Sequence, residues 1–529
     1  MRLGQVKWGE RSPRAFWVLV LIAVGLGLWL RGTHLGHKVF WHDEVYTAIR
    51  ASGFNGGDVI ERVFDEQVRS PADLLYFQQP QPERDLRDAW RVLREHPEHP
   101  PLYYLLARFW MQRVGSSVAV LRSLSALFGI AALPALYWLA WELFHDARVG
   151  GVAIALFSLS PFHILYAQEA RQYSLWTLMT LLASAALLRA LRQPSGRTWA
   201  LYGLLLALSF YSSLLAAFVA VSYALYVLLG SRLRPQRQWW GFAIASSAAI
   251  LSFSPWLWTL RQNRALLVEK TSWMQTPKPL AELVVTWGLH ITAVFFDPRL
   301  PNTPWAYPLY NLLILPLVAI LAAIALYWFW RRAPHPARLF VVLLFILPAL
   351  AIILPDLLFG GLRSSVSRYF IPSYLALQLA VAYLFARQLG QPAGKQARRW
   401  AIGFVLLLSL GLGSGLASWA APTWWNKLSG QATLAIADIL NQAERPLLIG
   451  NTDGINTGHL VSLAHELDGH VRLQLTHAAN PPQPADGFAT VYLYNPSRRW
   501  SSLFPTAQPR YEGELSLWQL MPTAETSRP

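Results

Sequence analysis

Residues 149–188 read VGGVAIALFSLSPFHILYAQEARQYSLWTLMTLLASAALL, two charge-free runs separated only by Glu169, Ala170 and Arg171. Val149 to Gln168 supplies 20 residues and Gln172 to Leu188 supplies 17. About 20 residues of helix cross the hydrocarbon of a bilayer, and a shorter run does so by snorkelling its flanking arginines, here Arg148 and Arg189. The stretch reads as two membrane spans joined by a tight polar loop, and that reading extends outward in both directions.

Comparable runs cover Ala15 to Leu30, Ser123 to Trp141, Gln238 to Leu260, Leu339 to Pro355 and Tyr369 to Ala386. Thr198 to Ser231 is long enough for a helical hairpin broken at Tyr211, Ser212 and Ser213. Leu300 to Trp330 and Trp400 to Asn426 each hold one span plus flanking loop, which brings the expected total to eleven helices. Leu283 to Phe296 is free of charge but has only 14 residues, so it reads as interfacial or re-entrant. Arg31-Gly32-Thr33-His34 follows the first run in place of a small-x-small cleavage site, which makes that run a retained anchor. Composition agrees: 54% of the 529 residues are hydrophobic and only 14% charged, against about 25% charged in soluble chains. With no cysteine, a disulfide framework, a thiolate zinc site and a cysteine nucleophile are excluded.

The net charge of +16 is explained by where the charges fall. Eleven spans place the N-terminus (Arg2, Lys7, Arg11, Arg14) on one side with the loops carrying Arg148, Arg189/Arg192/Arg197, Arg232/Arg234/Arg237, Arg331/Arg332/Arg338 and Arg387/Lys395/Arg398/Arg399. Only Glu10, Glu142 and Asp146 share that side, which carries +15 and is cytoplasmic by the positive-inside rule. The outer side is left near +1, and no nucleic-acid partner is needed. Residues 1–426 then form a membrane domain with a large outer loop at 35–122, and residues 427–529 form an extracytoplasmic domain. In the latter, helical patterns (Thr433 to Ala443, Ile455 to Leu467) alternate with short β-like runs (Leu447 to Gly450, Val471 to Leu475, Thr490 to Tyr494, Glu514 to Trp518), as in a small α/β domain. The outer loop ends in Pro100 to Trp110, an aromatic segment suited to a helix lying in the interface.

Four polar constellations face that outer side. In Phe40-Trp41-His42-Asp43-Glu44-Val45-Tyr46, two adjacent carboxylates stand close to a membrane face, where they are costly unless hydrated, paired or used. One such acid suits a general base for a hydroxyl, and a second can hold the acceptor or a divalent cation. His96-Pro97-Glu98-His99-Pro100-Pro101 offers two imidazoles and a carboxylate, either as a polar turn or as a metal site, although its prolines exclude a regular helix. Glu169 and Arg171, beside Tyr173, form either a structural clasp or an arm of a site. Arg363-Ser364-Ser365-Val366-Ser367-Arg368-Tyr369 places two guanidinium groups among hydroxyls at headgroup level, where Arg offers bidentate donors to a phosphate or snorkels to lipid.

The order of motifs resembles the polytopic GT-C glycosyltransferases, specifically the glycosyltransferase family 39 group related to protein O-mannosyltransferases and lipid A aminoarabinose transferases. An Asp-Glu pair after the first span is followed by His99-Pro100-Pro101-Leu102-Tyr103-Tyr104, Leu121-Arg122-Ser123-Leu124-Ser125, Leu143-Phe144, Leu159-Ser160-Pro161-Phe162, Gln168 to Ser174, and Arg368-Tyr369-Phe370-Ile371-Pro372. The resemblance implies a GT-C-like α-helical polytopic fold. It also implies inverting transfer of a sugar from a polyprenyl-phosphate donor to an acceptor at the outer membrane face. Asp43 matches the family's catalytic acid, and Glu44 supports it or helps hold a cation. Arg368 and Arg363 would neutralise the departing phosphate, while Glu169, Arg171 and Tyr173 shape the pocket. Tyr369, His42 and His99 complete the candidate substrate-binding set, His42 being a departure from the pattern and His99 standing where some relatives carry Lys. The rival class is a transporter or flippase of lipid-linked glycans, which calls for inverted repeats and ionisable residues at mid-span, neither evident here.

Overall fold

The computed structural model describes residues 14–231, 237–297, 310–424, 426–480 and 482–521. Arg2, Lys7, Glu10, Arg11, Arg232 and Arg234, the first ten residues of the run beginning at Leu300, and position 425 lie outside them. Among the described residues, eight helices are long and apolar enough to cross a membrane: Arg14–Gly32, Val118–Phe144, Tyr173–Arg192, Gln238–Gln262, Leu312–Arg332, His335–Phe359, Ser367–Leu389 and Lys395–Ala420. The pair Ala147–Ser158 and Pro161–Ala167, bent by 64°, has the length and apolarity of a broken span or a re-entrant loop, which brings the number of crossings to eight or nine. The expected hairpin forms as Gly196–Ser212 and Ala216–Gly230, helices of 17 and 15 residues. At 1.5 Å per residue they reach roughly 25 and 22 Å, which is why they fall short of the other spans. Leu280–Ala293 is likewise a short apolar helix.

The bend is built by sequence and sealed by charge. Pro161 opens the second helix at a position where its missing N–H costs nothing, and the break leaves carbonyls of the preceding helix without intrahelical partners. Arg31 supplies them, with Nη1 donating to Ser158 O at 2.6 Å and Nη2 to Phe157 O at 2.9 Å. Gly27 lets the first span approach, since a Cβ there would lie 2.5 Å from Ser158 O. At one end of the bundle, Arg189 lies 3.8 Å from Glu142 and Arg192 also pairs with it. Phe16, Arg148, Gly390 and Arg398 line one common cavity, so these arginine-bearing segments gather together as their spacing in the sequence requires.

The first loop folds into capped helices. Asn55 and Asp58 exchange hydrogen bonds at the start of Gly56–Val63, and Asp85 and Asp88 do so at the start of Leu86–Glu95, satisfying helix-terminal donors. The aromatic segment forms Leu102–Val114. A six-stranded sheet packs beside this loop: β1 (Val68–Arg69), β2 (Pro446–Asn451), β3 (Arg472–Thr476), β4 (Thr490–Tyr494), β5 (Gln508–Glu512) and β6 (Ser516–Leu520), in the order β1-β3-β2-β4-β6-β5. β3, β2 and β4 are parallel and the remaining pairs antiparallel. β5 and the short helix Arg498–Leu503 carry no clear apolar period in the sequence. β1 comes from the first loop, with Val68 opposite Gln474, and covers an edge that β3 would otherwise expose.

The helix Asn456–Ala464 seats the sheet on the loop helix His42–Ala51. A Cβ on Gly458 would lie 2.7 Å from the Tyr46 ring, and Ser462 Oγ donates to Phe40 O at 2.6 Å. This contact carries the C-terminal region to within reach of Asp43.

Candidate active site

Asp43 lies in the first turn of His42–Ala51, where the helix N-terminus favours a negative charge. Its Oδ1 is 3.2 Å from His42 Nε2 and its Oδ2 is 3.8 Å from Arg368 Nη2. Arg171, in the tight loop before Tyr173, donates through Nη1 to the Asp43 main-chain carbonyl at 3.2 Å, Thr47 Oγ1 at 3.2 Å and Tyr104 OH at 3.3 Å. The Arg368 guanidinium lies over the rings of Tyr173 and Tyr369, at 5.3 and 5.8 Å from their centroids. Lys427 follows the last span and completes the cluster, with Nζ 3.2 Å from Glu169 Oε2 and 3.2 Å from the centre of the Trp41 ring.

The electrostatics follow from this crowding. Burial works to raise the Asp43 carboxyl, but Arg171, His42, Arg368 and Lys427 outweigh it and hold the group well below the usual carboxylate range. Burial also lowers His42, against the opposing pull of Asp43. Lys427 is brought down to about 8 by burial, with Glu169 opposing the shift. Arg171 Nε, Arg368 Nε and Glu169 Oε1 are buried without a hydrogen-bond partner, so the cluster retains unspent donors beside an ionised carboxylate.

Two expected site residues are committed elsewhere. Glu44 is fully buried, its oxygens taken by Arg122 at 2.8 and 2.7 Å, by the Ala170 N–H at 2.7 Å and by the Trp41 N–H at 3.2 Å. It ties the loop helix to the bundle and has no lone pair facing the space Asp43 faces. Arg363 pairs with Asp356 at 3.0 Å, and Ser364 N donates to the same carboxylate at 2.6 Å. Arg363 thus fastens its own loop and is not among the charges acting on Asp43. A divalent cation at Asp43 and Glu44 does not fit these residues, since the neighbours of Asp43 are three cations and an imidazole and the Glu44 oxygens are already used.

His99 stands beside the site with its ring centre 5.8 Å from that of Tyr104. Burial keeps its imidazole neutral, and the charge of Arg171 adds to that effect while Asp43 opposes it. Glu98 lies between His96 and His99, with Oε1 3.6 Å from His96 Nδ1 and 3.7 Å from His99 Nε2. Among the described residues, no group of three or more His, Cys, Asp or Glu is placed to hold a metal ion. The sequence motifs do not single out Lys427, Thr47 or His459. The last is a buried residue of Asn456–Ala464 whose ring centre is 4.6 Å from that of His42.

Next to the cluster lies a small pocket of about 20 Å³, lined by Phe162, Leu165, Tyr166, Ser367, Trp424 and Asn426 among others. Ser367 and Asn426 are the chain neighbours of Arg368 and Lys427, and Tyr166 OH bonds Ser367 Oγ at 2.9 Å.

Residues 98–258 match the family model described as dolichyl-phosphate-mannose-protein mannosyltransferase. Comparison with curated proteins gives no match. Among solved structures, ArnT from Cupriavidus metallidurans bound to undecaprenyl phosphate is similar with a TM-score of 0.53 at 13% identity, over 97% of this chain and 99% of that one. The apo state of ArnT aligns with a TM-score of 0.52 at 13% identity, over 96% and 98% of the two chains. At that identity the likeness is one of fold. Family segment and fold together support a glycosyltransferase, and the chain is a multi-pass membrane protein that matches a mannosyltransferase family model over residues 98–258 and is similar in fold to ArnT over 97% of its length.

Proposed function

We propose that the protein transfers a sugar from a polyprenyl-phosphate donor to an acceptor on the extracytoplasmic membrane face, with inversion at the anomeric carbon. The observation that carries this reading is the ionised Asp43 set among Arg171, Arg368 and Lys427. The cations suit the phosphate of such a donor, and an undecaprenyl phosphate is what the similar ArnT structure holds.

In this mechanism the acceptor oxygen attacks the anomeric carbon as the bond to the phosphate oxygen breaks, and the polyprenyl phosphate leaves with the electron pair. Arg368 and Lys427 stabilise the charge growing on that oxygen, and fixed cations in a water-poor site are most effective at that step. Asp43 accepts a hydrogen bond from the acceptor hydroxyl and orients it. A carboxylate so strongly depressed is a weak base, but a phosphate drawing on Arg368 and Lys427 takes up the charges that depress it. Donor binding thereby raises the basicity of Asp43 when it is needed. The proton passes to solvent as the polyprenyl phosphate leaves, since a phosphate monoester with a second pKa of about 6 is mostly dianionic near pH 7.

Mass spectrometry of lipids that copurify with the native protein tests the donor class. A polyprenyl phosphate or its sugar ester is expected; bulk phospholipid alone would contradict the reading.

A further inference from the structure

The first and last membrane helices, Arg14–Gly32 and Lys395–Ala420, lie side by side but meet at one end only. At the end that leads into the Asp43 loop they are in contact. The Trp29 and Trp419 rings are centred 5.0 Å apart, Trp419 Nε1 donates to Thr33 Oγ1 at 2.9 Å, and a Cβ on Gly415 would lie 2.9 Å from Leu30. Leu19 and Phe404 stand 11 residues before Leu30 and Gly415, about 16 Å down each helix, and there the pair has parted. Phe16 and Leu19 of the first helix and Phe404 and Val405 of the last line a cavity of about 570 Å³ between them.

The same cavity is lined by two arginines from different elements, Arg148 and Arg398, and by the loop 389–394. Arg398 belongs to the first turn of Lys395–Ala420, whose N-terminus has no side-chain cap, so the partial positive charge of that helix end adds to the two guanidinium groups. Among the described residues no carboxylate lines the cavity. Glu142 pairs with Arg189 and Arg192, and Asp146 caps Ala147–Ser158 by accepting the Arg148 N–H at 2.9 Å. An apolar gap between membrane helices that ends at guanidinium groups has the chemistry of an amphiphile with a phosphate head: basic pockets between membrane helices bind anionic headgroups, and Arg offers phosphate a bidentate pair of donors. The first helix, about 28 Å long over its 19 residues, separates this cavity from the end of the bundle where Asp43 lies, so the cations proposed to hold the donor phosphate take no part in it.

We propose that this cavity holds an anionic glycerophospholipid of the surrounding bilayer, with its phosphate on Arg148 and Arg398 and an acyl chain between the first and last helices. The site stands apart from the sugar-transfer reading and does not rest on it. The test uses full-length protein in detergent and a phosphatidylglycerol that carries a photoreactive group on one acyl chain, with the labelled peptides identified by mass spectrometry. Label is expected on the peptides that contain Phe16 to Leu19 and Phe404 to Val405, and unlabelled phosphatidylglycerol should displace it where phosphatidylcholine does not. The double variant Arg148→Gln/Arg398→Gln should take up about tenfold less label or lower still, the loss of two charge-assisted contacts. Arg338→Gln, whose arginine donates to Trp330 O on another loop, should label as wild type does. Absence of label from these peptides, displacement by phosphatidylcholine as readily as by phosphatidylglycerol, displacement by a polyprenyl phosphate alone, or full labelling of the double variant would overturn the proposal. The competition arms use the wild-type protein, so the proposal stays open to refutation even where the variant folds poorly.

Discussion

Arg122 holds both carboxylate oxygens of Glu44, at 2.8 and 2.7 Å, and the two side chains are 1% and 0% exposed. Arg122 also donates to the carbonyls of Leu35, Lys38 and Val39, so one guanidinium joins the second expected acid to the chain leaving the first span. Removing one partner strands a buried charge, which costs about 3–5 kcal/mol. Arg122→Ala is therefore expected to lower the melting temperature of the solubilised protein sharply, and Glu44→Gln to lower it less. Asp43→Asn, one residue away, removes a carboxylate that the surrounding cations stabilise but that is partly exposed, and is expected to lower it less than Arg122→Ala does. Thermal unfolding of the three variants side by side separates the structural acid from the functional one.

The first span and the bent crossing meet at Gly27, where a Cβ would lie 2.5 Å from a backbone oxygen that cannot swing aside. Gly27→Ala is expected to cost about 1–3 kcal/mol through overpacking and to disturb the Arg31 bonds to Phe157 and Ser158. Denaturation of the variant should show the loss, while Gly25→Ala, with nothing within 4 Å of the added atom, serves as the neutral control.

Lys427 is held at about 8 by burial against the opposing effect of Glu169. Its charge is present below that pH and lost above it, so donor affinity should weaken as pH rises through roughly 8 to 9. Lys427→Arg keeps its charge through this range and should move the alkaline limb upward, and Lys427→Ala should abolish the limb together with much of the affinity. KM for the donor, measured from pH 6 to about 10, decides the point; a limb that survives in Lys427→Ala would belong to another group.

Arg368 approaches Asp43 from the loop opposite and keeps an unpartnered Nε. Arg368→Ala should weaken binding of the donor lipid by tenfold or more and leave acceptor binding within about twofold, since the loss is one charge-assisted contact to phosphate. Equal losses for both substrates would remove the phosphate role.

Particular residues show which features of the fold and the site are legible in the sequence. The spans are readable because apolar length is a local property, and so is the acid after the first span, because Asp43 sits in a contiguous motif. Glu44 and Arg363 read as site residues although each is committed to a partner whose approach no spacing announces. For Glu44 that partner is Arg122, which stands in the Leu121 to Ser125 motif but far along the chain; for Arg363 it is Asp356, inside an apolar helix. Lys427 and His459 escape the motifs for the same reason: Lys427 reaches Glu169 from the stretch after the last span and His459 reaches His42 from the helix Asn456–Ala464, and no spacing announces either approach. The hairpin helices count as full spans in the sequence because a charge-free run measures composition, while Ser213 sets where the helix stops.

In the proposed mechanism Asp43 directs the acceptor hydroxyl during sugar transfer from a lipid phosphate. The transfer rate of Asp43→Asn tests this most directly, measured below its melting temperature with the polyprenyl-phosphate sugar identified from the copurifying lipid and at wild-type donor occupancy. Transfer is expected to fall by a factor of at least about 10² to 10⁴, the usual contribution of a positioned general base. Transfer at the wild-type rate in that folded, donor-bound variant would refute the role of Asp43.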